Sequence, residues 1–124
     1  MVLEMVYPTI NRAISNRLTM RLGGWSSALV PLLSWQLKLR LGIHTEDLRP
    51  IDHVGKISTP KLFIVGSKDQ HTTIEESQLM FEAAGEPKEL WVVTAEHVDL
   101  YPVAKKEYEQ HVLGFFEQHL RKGL

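Results

Sequence analysis

The sequence predicts an α/β fold, a short parallel sheet with flanking helices, and three observations predict it. Apolar runs rich in β-formers, at residues 2–7, 61–67 and 88–95, alternate with stretches of helical spacing, the order expected of parallel βαβ units. The second and third runs have continuous apolar centres, "LFIVG" and "LWVV", as in strands covered on both faces. Each of these two also leads into an ionisable side chain: "KLFIVGSKDQHTT" reaches Asp69 and "LWVVTAEHVDLY" reaches His97. In open parallel sheets, functional side chains gather beyond the carboxyl ends of the strands, where these two residues fall.

The elements follow in order. "VLEMVY" reads as a short strand closed by Pro8, which cannot donate to a ladder. Thr9 is an N-cap for a helix in which Ile10, Ala13, Ile14, Leu18 and Leu22 share one side, stopped by Gly23 and Gly24. Residues 25–42, "WSSALVPLLSWQLKLRLG", read as helical, although Pro31 argues against one straight helix and Trp35, Leu37, Leu39 and Leu41 alternate like a strand. A polar connector follows, with a turn of helix at Ile51 to Val54 ended by Gly55 and Pro60. After the strand "KLFIVGS", Thr72 or Thr73 caps the helix "IEESQLMFEAAG", and Thr73 with Glu76 has capping-box spacing. The strand "KELWVVTA", a turn at 99–102 and a closing helix with a stripe of Tyr108, Val112, Phe115, Phe116 and Leu120 complete the chain.

Length and composition bound the function. The 124 residues suit a single domain, 1–124, with a real core. Fourteen Lys and Arg balance 15 Asp and Glu with no basic block, so neither nucleic acid nor an anionic membrane is expected as a partner. Without cysteine there is no disulfide framework, thiolate nucleophile or Cys-based zinc site. The start lacks the basic and apolar regions of a signal peptide, and "ALVPLL" falls far short of the roughly 20 apolar residues of a spanning helix. A soluble, cytoplasmic protein is the expectation.

In their order and spacing, "TPKLFIVGSKDQHTT" and "KELWVVTAEHVDLY" resemble the C-terminal part of an α/β-hydrolase. The resemblance implies that these are the family's seventh and eighth strands, with Asp69, in G-x-x-D from Gly66, as triad acid and His97 as triad histidine. "VLEMVYPTI" is similar to the sixth strand and its exit, and residues 9–57 then correspond to a cap-like helical excursion. Glu96 departs from the pattern, since relatives often carry glycine there. The family's first five strands, nucleophile elbow and oxyanion-hole loop have no counterpart in this sequence.

The chemistry can be stated without the family. A carboxylate that binds one imidazole nitrogen leaves the other free to accept a proton from a hydroxyl, so Asp69 would orient His97 and His97 would act as general base, then acid. Both roles require a nucleophile, a serine in G-x-S-x-G ahead of the pair. Ser15, Ser26, Ser27, Ser34, Ser58, Ser67 and Ser77 do not occupy that pattern, and "GGWSS" follows a helix and lacks the second glycine. Hence the expectation is an ester- or acyl-hydrolase-like chain that is inactive alone and takes a small ester or acyl substrate only when a nucleophile is supplied. A non-catalytic structural or interaction module is the alternative.

Plainer roles exist for the same residues. Asp69 suits a turn cap, Asp99 a local cap or a rival partner for His97. Asp69 with His71, and His111 with His119, lack the three or four convergent ligands of a metal site, so no metal or cofactor is expected. Trp25 and Trp35 suit core packing better than a substrate pocket. With the early strands missing, a free strand-one edge and a leucine-rich 25–41 segment predict a homo-oligomer through one of those surfaces.

Overall fold

The computed structural model describes residues 1–120. Its elements are β1 (Val2–Glu4), α1 (Ile10–Leu22), a 3-10 turn (Gly24–Leu29), α2 (Val30–Leu41), a second 3-10 turn (Thr45–Asp47), α3 (Ile51–Val54), β2 (Lys61–Gly66), α4 (Ile74–Ala83), β3 (Lys88–Val93), α5 (Leu100–Val103) and α6 (Lys105–Leu120). The strands form one parallel sheet in the order β1-β2-β3, with Val2 opposite Leu62, and Lys61 and Gly66 opposite Lys88 and Val93. A short parallel sheet with flanking helices is the observed fold class.

Side-chain alternation along β2 sends its residues to two cores. Leu62 and Ile64 join Val93, Ala95, Leu100 and Phe115 on one face, with Tyr108, Val112 and Phe116 of α6 against them. Phe63 joins Val54, Met80 and Ala84 on the other, under α3 and α4. All six β2 residues are buried, including Lys61, whose ammonium donates to the Ile57 and Thr59 carbonyls at 2.6 and 2.8 Å.

Local signals decide the helix ends. Thr9 accepts a hydrogen bond from the Arg12 amide, and Gly23, at φ 89°, closes α1. Thr73 and Glu76 form the complete capping box of α4, and Lys88 donates to the Phe81, Glu82 and Ala84 carbonyls at its other end. Asp99 caps α5 by accepting from the Tyr101 amide.

Several expectations change. The first strand ends at Glu4, three residues early, because Met5 takes a left-handed φ of 45° that breaks the extended run. Residues 25–42 divide into a 3-10 turn and α2, with Pro31 in the first turn of α2, where no backbone N–H is needed. β3 is an edge strand covered only in part, and Val92 faces outward. Leu120 leaves the apolar stripe for solvent, as do Trp25 and Trp35, which pack into neither core. Nothing on α2 is buried. No helix among the described residues is long and apolar enough to cross a membrane.

Candidate active site

Two loops leave the carboxyl ends of β2 and β3 side by side, held together by backbone hydrogen bonds beyond the strands themselves. The Ser67 amide donates to the Val93 carbonyl at 2.8 Å and the Lys68 amide to the Ala95 carbonyl at 3.0 Å. This zipper requires Gly66, because a Cβ there would lie 2.6 Å from the Ala95 oxygen. Sequence spacing marked Gly66 only as the start of G-x-x-D. Its close backbone contact becomes evident when the neighbouring loop is in place.

The zipper brings Asp69 and His97 together. Asp69 Oδ2 lies 2.8 Å from His97 Nδ1, and the carboxylate is almost completely buried whereas the imidazole side chain is 37% exposed. Oδ1 accepts from the His71 amide at 2.7 Å and the Thr72 amide at 2.9 Å. Asp69 thus bonds in two directions, to the turn amides through one oxygen and to the His97 ring through the other. With Asp69 ionised and His97 neutral, the carboxylate can only accept, so Nδ1 would carry the proton and Nε2 would present a lone pair.

Residues without an obvious signature brace the acid loop. Asn16 of α1 donates to the His71 carbonyl at 3.0 Å and to Glu76 Oε2 at 2.8 Å, tying the helical excursion to the loop and to the α4 capping box. Thr72 donates to the Met5 carbonyl at 3.2 Å, linking the loop to the left-handed exit of β1. The only sequence signal for Asn16 was a short polar residue inside a helix, a weak one. The His71 ring lies 4.6 Å from that of His97, with its own Nδ1 buried and without a hydrogen-bond partner among the described residues.

Met20, Lys68, Gln70, His71, Glu96 and His97 line a small cavity of about 150 Å³ in front of the pair. Glu96 is exposed and leaves the Asp69–His97 contact intact. Ser26 and Ser27 donate to the Gly23 and Gly24 carbonyls within their 3-10 turn, and Ser34 to Asn11. Asp99 is occupied at the α5 cap. No group of three or more His, Cys, Asp or Glu residues able to hold a metal ion occurs among the described residues; His111 stacks on Trp91 and His119 meets Glu89.

No protein-family model matches the chain. It is 29% identical over 98 residues to the uncharacterized protein YqkD of Bacillus subtilis, an alignment spanning 78% of this chain and 32% of that protein. Among solved structures, the Pyrococcus furiosus esterase Pf2001 superimposes with a TM-score of 0.67 at 21% identity, over 95% of this chain and 44% of the esterase. A hydrolase from Pseudomonas aeruginosa PA01 superimposes with a TM-score of 0.57 at 16% identity, over 92% of this chain and 54% of the hydrolase. The chain thus spans about a third of its curated relative and about half or less of these structures, and it shares the fold of part of an esterase-type hydrolase.

Proposed function

We propose that the chain supplies the acid and the histidine of an ester or acyl hydrolase, with Asp69 orienting His97 and His97 as general base and then general acid. The observation carrying this reading is the 2.8 Å contact between Asp69 and His97 at the ends of successive parallel strands. The buried carboxylate, held by two amides, fixes the imidazole tautomer, and the exposed ring presents Nε2 to an incoming hydroxyl. The serine comes from outside this sequence, so the chain alone is inactive.

Short p-nitrophenyl esters test both parts. The chain alone should give background hydrolysis that is unchanged by His97→Ala; a rate lost with His97→Ala would reveal a nucleophile within it. Joined to a segment that carries G-x-S-x-G ahead of β1, it should hydrolyse the ester with a loss of about a thousandfold or more on His97→Ala. An elbow-bearing protein with full activity despite His97→Ala would sink the reading.

A second reading, a non-catalytic interaction module, is supported by α2, which buries none of its residues, and by the outer edge of β1, which pairs with no strand among the described residues. Self-association through that edge should appear in light scattering across a concentration series.

A further inference from the structure

One hydrogen bond fixes an atom of a ring and leaves its plane free. The contact of Asp69 with Nδ1 holds the His97 imidazole at a single point, and because the side chain is partly exposed the rest can swing about that point unless something lies against it. The His71 ring lies there, 4.6 Å away between centroids and tilted by 44°, within the range of aromatic contacts. It is the one aromatic neighbour of His97 among the described residues.

His71 is itself held at both ends of its backbone and along one edge of its ring. Its amide donates to Asp69 Oδ1 at 2.7 Å, and its carbonyl accepts from Asn16 at 3.0 Å. Asn16 is fixed in turn by its second bond, to Glu76 Oε2 at 2.8 Å, an oxygen that also accepts from the Thr73 amide in the α4 capping box. The inner edge of the His71 ring is sealed, since Nδ1 is buried and has no hydrogen-bond partner among the described residues. An unpaired buried nitrogen costs about 1–3 kcal/mol, so a ring that keeps one is confined by its surroundings and not by a bond of its own. The atoms that seal it belong to this chain, so the contact with His97 does not depend on what else lies in front of the pair.

We infer that His71 is a positioning residue for His97, a rigid wall that holds the imidazole plane so that Nδ1 stays on Asp69 while the ring faces the cavity that both histidines line. The inference rests on the acid–base reading of the pair and gives the His71 side chain a part in it. One residue then serves both members: its amide steadies the carboxylate, and its ring steadies the imidazole. The role needs a flat ring and not a titrating nitrogen, which separates His71 from a second general base. Through Asn16 the wall is also tied to α1, so the helical excursion contributes to the site without touching His97.

Nitrogen NMR spectra of the imidazoles in the whole chain test this without substrate or nucleophile, at alkaline pH where an ordinary imidazole is neutral. In the parent, His97 should show one fixed tautomer, protonated at Nδ1. His71→Ala should replace that signature by an average over both tautomers, and His71→Phe, which restores a flat ring, should bring it back. Val54→Ala, a truncation in the core under α3 and α4, should leave it as in the parent. Asn16→Ala, which frees the His71 carbonyl and keeps the ring, should give a smaller shift in the same direction, and it decides the matter if His71→Ala does not fold. A fixed tautomer that survives His71→Ala, or Asn16→Ala where only that variant folds, would overturn the inference and leave the hydrolase reading standing. So would a loss that His71→Phe fails to restore, or an equal loss in Val54→Ala. An averaged His97 in the parent would remove the pair itself, and the hydrolase reading would fall with the inference.

Discussion

The stretch from β2 to α6 and the helical excursion between β1 and β2 use similar apolar residues to opposite effect. In the first, Leu62, Phe63, Ile64, Val93, Leu100 and Phe115 meet partners on both faces of the sheet and are buried. In residues 10–41, Ala13 is the single buried apolar residue among those described, although leucines and tryptophans are abundant. Hydrophobic spacing specifies that a helix has an apolar side. A second surface must exist before that side is buried, and the excursion offers α2 little more than α1 and the two 3-10 turns.

Stability measurements can break or sharpen this contrast. Ile64→Ala, at a fully buried position between β1 and β3, should cost about 3–4 kcal/mol in urea denaturation, whereas Leu39→Ala should change stability by less than about 0.5 kcal/mol. A comparable cost at Leu39 would mean that α2 is covered in solution. Gly66→Ala places a Cβ against the Ala95 oxygen and should cost about 2–3 kcal/mol, while Gly24→Ala, with open space around the new Cβ, should lie within about 0.5 kcal/mol of neutral. Equal effects at the two glycines would show that the loop zipper yields as easily as the excursion.

The smallest effect tests the tie between β1 and α6. The Tyr108 hydroxyl donates to Glu4, and this bond, with burial adding to it, pushes the phenol up to about 12. The folded state favours the neutral phenol, so the contribution is complete below the unfolded value of about 10 and is lost as pH rises through about 12. Tyr108→Phe should cost about 0.5–1 kcal/mol near neutrality, with the gap from the parent closing over that alkaline window. A gap that persists above it would assign the effect to packing instead.

The parts legible in the sequence were those decided locally. Thr9, Gly23 and the Thr73–Glu76 box announce helix ends because caps act within one turn. Asp69 and His97 could be paired in advance because consecutive parallel strands bring the same ends together. Other features depend on chain partners that spacing does not reveal. Met5 turns left-handed beside the acid loop, Asn16 reaches across to His71 and Glu76, and the buried Lys61 finds carbonyls in its own preceding loop. For α2, periodicity named the apolar residues, but only the placement of α1 separates the inward set from the outward stripe.

Asp69 shares one carboxylate between an imidazole and two backbone amides. Electron density drawn toward His97 is withdrawn from the His71 and Thr72 amides, and the three bonds cannot strengthen independently. The amide protons of His71 and Thr72 are therefore built-in reporters of the ring. A ligand bound at Nε2 should register in their chemical shifts and exchange rates, so occupancy of the histidine can be followed spectroscopically with no turnover at all.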